Sequence, residues 1–196
     1  MIDVWGSVAI LVAISPLLLA IAVVILVRDG RPILFRQNRV GLGGRRFQIL
    51  KFRTMIPSEK QKPAVYADET WKTGVPDDFV FKNGSNPYVT PTGKFLRKYS
   101  LDELPQFFNV LNGSMSLVGP RPEIPEIADY YNKSQRGRLS VKPGITGLAQ
   151  VSGRSNMNNG RKIELDLDYV RKFSFLLDLR ILFATAFNAV RGKDAV

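Results

Sequence analysis

The sequence predicts a small, mainly helical α+β domain carried on an N-terminal membrane helix, and three segments carry that prediction. From Ile2 to Val27 the only charge is Asp3, in a run that is otherwise almost wholly apolar. Two short apolar stretches, Ile33 to Phe35 and Phe47 to Phe52, flank a turn rich in glycine (Gly41, Gly43, Gly44) and read as a hairpin-like strand pair. The last third, from Ile163 through Tyr169 and on from Phe173 to Val190, places its apolar residues at helical spacing.

The first segment is long enough to be a membrane helix. As a helix it would reach roughly 39 Å at 1.5 Å per residue, against a hydrocarbon core of about 30 Å. No basic stretch precedes it and no A-x-A-like site follows, so it does not read as a signal peptide. Arg28 and Arg31 come directly after it, and the positive-inside rule then puts the rest of the chain in the cytoplasm. This gives an anchor over 1–28 and a cytoplasmic domain over 29–196. Pro16 has no N–H for the Val12 carbonyl and its ring crowds that turn, so a bend is expected there. The Ser15 hydroxyl can bond back to the freed carbonyl and make the bend tolerable in lipid. Composition alone favours a kinked spanning helix; the alternative is a re-entrant helix–break–helix with both ends on one face.

Composition narrows the chemistry of the domain. Of 196 residues 45% are hydrophobic and 23% charged, which suits a packed core. The net charge of +11 calls for an anionic partner: nucleic acid, anionic lipid or a phosphate-rich substrate. The chain has no Cys and no His, which excludes disulfides, thiolate nucleophiles, a histidine base and most zinc sites. Catalysis would rest on carboxylates, Lys, Arg, hydroxyls, or a hard oxygen-bound cation such as Mg²⁺.

The remaining elements follow in order. Arg39, Arg45, Arg46, Lys51 and Arg53 crowd the hairpin, close to the anchor, where they form a solvated surface or meet lipid headgroups. Residues 57–91 are polar and turn-rich, and read as an irregular insertion with a short helix at most. The run from Phe173 to Val190 suits an amphipathic helix lying on a core or on a membrane surface.

The chemistry-bearing stretch is Ser100-Leu101-Asp102-Glu103-Leu104-Pro105. Ser100 with Glu103 matches a capping box, and Pro105 suits the first turn of a helix running towards Asn112-Gly113. Both place the two acids at a helix N-terminus, where they either complement the macrodipole or do chemistry. Arg97, five residues before Asp102, and Arg121, held between Pro120 and Pro122, are phosphate-clamp candidates, as is Arg154. Gly144, Gly147 and Gly153 permit tight turns whose N–H groups could face an anion.

Taken together, these pieces resemble the bacterial sugar transferases of the monotopic phosphoglycosyl transferase family. The matching segments are Ser15-Pro16, Lys51-Phe52-Arg53-Thr54-Met55, Ser100 to Gln106, Gly119-Pro120-Arg121-Pro122 and Lys142-Pro143-Gly144-Ile145-Thr146-Gly147, in order over nearly the whole chain. The resemblance implies a re-entrant anchor broken at Ser15 and Pro16, with amphipathic interfacial helices, in the bacterial inner membrane. It implies transfer of a sugar phosphate from a UDP-sugar to undecaprenyl phosphate with release of UMP. Asp102 would be the covalent nucleophile and a ligand of Mg²⁺, Glu103 its assistant, and Arg53, Arg97, Arg121 and Arg154 phosphate contacts. A carboxylate suits a chain without His, since it is ionised at neutral pH and needs no base to activate it. The rivals are a membrane-tethered nucleic-acid-binding protein, for which a basic recognition helix or an aromatic stacking surface would be expected, and a bilayer-bound scaffold.

Overall fold

The computed structural model describes residues 2–56, 69–80, 87–153 and 157–191. Helix α1 (Ile2–Arg28) leads into strands β1 (Leu34–Val40) and β2 (Arg46–Phe52). Then come α2 (Pro91–Lys98), α3 (Gln106–Leu111), β3 (Ser116–Val118), α4 (Pro125–Ala128), β4 (Gly144–Thr146), α5 (Leu148–Gly153), α6 (Asn159–Lys172) and α7 (Phe175–Arg191). The fold is mixed helix and sheet, with two separate two-stranded sheets: β1 antiparallel to β2, and β3 parallel to β4.

Helix α1 is long and apolar enough to cross a membrane, and most of its surface is not covered by the protein. The helix runs unbroken through Pro16, so the Ser15-Pro16 pair does not divide it into two elements. The reason is local: Ser15 Oγ donates to the Val12 carbonyl at 2.8 Å, supplying the bond that proline cannot. Both ends are tied to the rest of the chain. Asp3 Oδ1 accepts from Leu117 N at 3.2 Å and Ser116 Oγ at 3.1 Å, on β3. At the other end Asp29 Oδ2 accepts from Thr90 Oγ1 at 3.1 Å. Between them Ile21 and Ile25 pack on Phe52 and Leu96.

Strand β1 runs well beyond Phe35, through Arg36-Gln37-Asn38-Arg39, where a mostly exposed strand carries no apolar signal. The turn uses Gly43 and Gly44 at φ 63° and 82°, the left-handed region that glycine enters freely. The hairpin is fastened from below by Asn109 of α3, whose amide accepts from Leu50 N at 2.9 Å and donates to the Gln48 carbonyl at 2.8 Å.

The second sheet was not expected. Gly144 and Gly147 lie where two backbones meet: a Cβ on Gly144 would stand 2.1 Å from Gly119 N, and one on Gly147 2.2 Å from Gly119 O. These glycines serve close packing, and the Gly144 N–H is spent on the Pro120 carbonyl at 3.0 Å. Gly144 therefore does not offer its N–H to an anion as expected. In the insertion, residues 69–80 contain a short 3-10 helix, Glu69–Thr73, and bury Trp71 and Val75 against Ile124, Ile127 and Ile163. Residues 57–68 and 81–86 of it lie outside the described residues. Helix α7 turns Leu177, Ile181 and Leu182 to the core and leaves Phe175, Leu176, Phe183 and Phe187 exposed.

Candidate active site

Asp102 and Glu103 sit in a single 3-10 turn, Leu101–Glu103, between α2 and α3. The turn is entered through Ser100 at φ 54°, a left-handed conformation, and the Ser100 side chain makes no cap bond. The capping box therefore does not form. Its acid has stronger partners: Lys51 Nζ on β2 donates to Glu103 Oε1 at 2.7 Å, and Arg121 spans the carboxylate with contacts of 2.8 and 3.4 Å. Two cations competing for Glu103 outweigh a single backbone N–H.

The neighbouring acids thus have opposite environments. Burial pushes the Glu103 carboxyl up, but Arg121 and Lys51 overcome it and hold it well below the usual carboxylate range. Burial raises Asp102 and the charge of Glu103 raises it further, against the pull of Lys51, Arg97 and Arg121. Among the described residues, the half-buried Asp102 carboxylate makes no hydrogen bond and no ion pair. It is a charge surrounded by cations yet bound to none.

Of the residues expected at the site, Asp102, Glu103, Arg97 and Arg121 come together. Arg97 Nε donates to Thr54 Oγ1 at 2.9 Å, which sets its side chain against the end of the hairpin. Arg53 sets its buried guanidinium on the carbonyls of Asp29, Gly30 and Arg31 and so clasps the end of α1, while its Nε has no partner among the described residues. Arg154 lies outside the described residues.

Sequence reasoning placed Lys51 only on the basic surface of the hairpin, solvated or facing lipid; the structure turns it onto Glu103, 52 residues away. It also missed a buried ionic cluster of Arg39, Glu123, Arg138 and Asp166 behind Arg121. One signal was available: Asp166 falls at helical spacing between Ile163 and Tyr169, a charge on the buried stripe of α6.

A magnesium ion fits this donor set. No group of three or more Asp or Glu side chains able to cage a metal is found among the described residues. Mg²⁺, however, is commonly held by one or two carboxylates together with substrate phosphates. Asp102, the one site acid with free oxygens, suits that arrangement, whereas the Glu103 oxygens are already occupied.

Comparison with known proteins points the same way as the geometry. The sequence model described as "Bacterial sugar transferase" matches residues 1–192. The chain is 44% identical to the galactosyl transferase CpsE of Streptococcus agalactiae serotype III over 86% of its length, covering 37% of that protein. It is 42% identical to the UDP-glucose:undecaprenyl-phosphate glucose-1-phosphate transferase of Klebsiella pneumoniae over 98% of its length, covering 40% of that protein. The chain thus spans about two fifths of the length of these two relatives. It covers 81% of the exopolysaccharide production protein ExoY of Sinorhizobium fredii, at 38% identity over 93% of its own length. A match over nearly the whole sequence places this chain in the bacterial sugar transferase family.

Proposed function

We propose that this protein transfers a sugar phosphate from a UDP-sugar to undecaprenyl phosphate through a covalent intermediate on Asp102. The observation that carries the reading is the contrast within one turn: Glu103 is neutralised by Lys51 and Arg121, while Asp102 is left without a partner among them. The names of relatives over most of the chain supply the substrate class.

In the first half-reaction an Asp102 oxygen attacks the β-phosphorus of the UDP-sugar. The bond from that phosphorus to the bridging oxygen breaks, and UMP leaves with the bonding pair. In the second, an oxygen of undecaprenyl phosphate attacks the same phosphorus, the lipid diphosphate sugar forms, and the Asp102 carboxylate is released. Neither nucleophile needs a strong base, which fits a chain without His. Arg121 and Arg97 orient the phosphates and stabilise charge on the equatorial oxygens. Glu103, compensated by Lys51, holds Arg121 over the turn. Mg²⁺, held by Asp102 with the diphosphate, would supply further neutralisation of the leaving UMP.

The domain would work from the cytoplasmic face of the bacterial inner membrane, on a re-entrant α1. Bonds from Asp3 to β3 at one end, and from Asp29 to Thr90 at the other, support having both ends on the domain's side. A helix spanning about 30 Å of hydrocarbon would carry Asp3 away from Leu117. The exposed Phe175, Phe183 and Phe187 of α7 would meet the same lipid interface.

The nucleic-acid alternative gains nothing from these observations or from the relatives. The test is UMP release from a panel of UDP-sugars with undecaprenyl phosphate and Mg²⁺. Radiolabelled phosphosugar should remain on the protein when the acceptor is left out. No UMP from any UDP-sugar would reject the reaction; UMP without protein-bound label would reject the covalent step.

A further inference from the structure

The loop bearing Arg121 is gripped at four successive carbonyls. Gly144 N donates to Pro120 O at 3.0 Å and Val40 N to Glu123 O at 2.9 Å. Between them, Arg138 Nη2 donates to the Arg121 carbonyl at 2.9 Å and Arg39 Nη1 to the Pro122 carbonyl at 3.1 Å. Pro120 and Pro122 have no N–H, so carbonyls are the groups this loop has to offer there. Pro122 also keeps Arg121 out of the helical region. With its φ/ψ limited and its carbonyl direction pinned, the Arg121 Cα–Cβ bond has one direction.

Two of the four donors are guanidinium groups, Arg138 buried and Arg39 partly buried, which require counter-charges. Glu123 lies between them, 3.9 Å from Arg39 and 3.7 Å from Arg138. Asp166 on α6 pairs with Arg138 Nη2, and the Tyr131 hydroxyl accepts from Nη1. Burial works against the charge on Arg138, and Asp166, Tyr131 and Glu123 more than restore it. Arg138 therefore faces four partners from three stretches of chain with one planar fork. A lysine nitrogen could keep the Asp166 pair but could not also serve Tyr131 and the Arg121 carbonyl.

We propose that Arg138, seated on Asp166 and Glu123, is a positioning residue for Arg121: it fixes the peptide from which the phosphate-gripping side chain projects. This rests on reading Arg121 as the phosphate grip. The cluster makes no hydrogen bond or ion pair with either acid of the catalytic turn; its bonded link to the site is the loop backbone, and beyond that Glu123 and Arg39 act on Arg121 and Glu103 only through charge.

A double-mutant cycle tests this on the full chain in detergent or membranes. The readout is kcat/KM for UMP release from UDP-glucose or UDP-galactose, whichever is turned over. The proteins compared are the unaltered chain, Arg138→Lys, Arg121→Met and the pair. Arg138→Lys is expected to lower kcat/KM on the order of tenfold or more while Arg121 is present, as a small misplacement of a gripping group does. With Arg121→Met already in place, the further loss should be under about twofold, because nothing is left to position. Equal losses in both backgrounds would make Arg138 a general prop and overturn the proposal. Near-normal kinetics for Arg121→Met alone would instead remove the phosphate grip itself, and this proposal with it. If Arg138→Lys fails to fold, the isosteric Asp166→Asn takes its place in the cycle: a loss confined to the Arg121 background supports the proposal, and equal losses overturn it.

Discussion

Replacing Glu103 by Gln and Asp102 by Asn makes the same chemical change at adjacent positions, and the structure expects opposite effects on stability. Glu103→Gln leaves Lys51, whose side chain is 16% exposed, and Arg121, 47% exposed, facing each other without a bonded counter-charge, with only the unbonded Asp102 carboxylate nearby. Breaking a buried ion pair from one side costs about 3–5 kcal/mol. Arg121 is half exposed and water recovers part of that, so a loss of about 2–3 kcal/mol is expected. At about 2–4 °C per kcal/mol for a chain of this size, the melting temperature should fall by about 4–12 °C. Asp102→Asn removes a charge that burial and Glu103 both oppose, so its melting temperature should hold or rise. UMP release should vanish in Asp102→Asn and fall severely in Glu103→Gln. Thermal unfolding in nanodiscs, followed by the fluorescence of Trp5 and Trp71, measures the difference. Equal destabilisation by both changes, or a larger fall for Asp102→Asn, would refute the division between a paired acid and a free one.

Arg121→Lys keeps the charge but loses the planar two-point grip, and kcat/KM should drop about tenfold or more; near-normal rates would make Arg121 structural. Single-turnover transfer of phosphosugar to the protein should weaken on acidification from a pH above the ordinary carboxylate range, because Asp102 is raised and only its ionised form attacks. The sign for stability is the reverse: Asp102 favours the fold most when protonated, and that contribution is lost as pH rises through its folded value. Asn109→Leu should cost about 1–3 kcal/mol for each backbone group it orphans, Leu50 N–H and the Gln48 carbonyl, as read by denaturant titration. A single Cys placed before Asp3 in this cysteine-free chain should resist an impermeant reagent in whole cells, and Ser15→Ala with Pro16→Leu should expose it in part of the population; labelling of the otherwise native chain would reject the re-entrant anchor.

What was legible in the sequence was local. The apolar run of α1, the glycine turn of the hairpin and the helical spacing of α6 and α7 each declare themselves within a few residues. The Asp102-Glu103 turn and the proline-flanked Arg121 were also visible, because their residue types are rare in such company. The parallel pairing of β3 with β4 was not, since each strand has three residues and the contact joins distant segments. Nor was the fate of Glu103: a capping box is a rule about near neighbours in the chain, and it lost to cations 52 and 18 residues away. Arg53 was visible in the sequence as a charge, but its burial against the carbonyls just beyond α1 was not.

The segment Lys51-Phe52-Arg53-Thr54 shows how the anchor and the site become one mechanical unit. Successive side chains at the end of a strand point to opposite faces, and here each residue has its own partner. Lys51 reaches Glu103 at 2.7 Å. Phe52 turns into the cluster of Ile21, Ile25 and Leu96, where α1 meets α2. Arg53 clasps the carbonyls just beyond α1, and its N–H donates to the Ile33 carbonyl at 2.9 Å. Thr54 receives Arg97, and its carbonyl presses so close to α2 that a Cβ on Gly93 would stand 2.1 Å away. Four residues therefore bind α1, α2, and an acid of the turn between α2 and α3. A shift of the anchor by an ångström would be felt at Glu103 through a single extended backbone, since a strand has little slack along its axis. Under the proposed function, with an acceptor confined to the bilayer, this geometry would set the height of the Asp102 carboxylate above the lipid. Activity should therefore tolerate surface changes on α1 far better than a change at Arg53, which touches no substrate in this scheme.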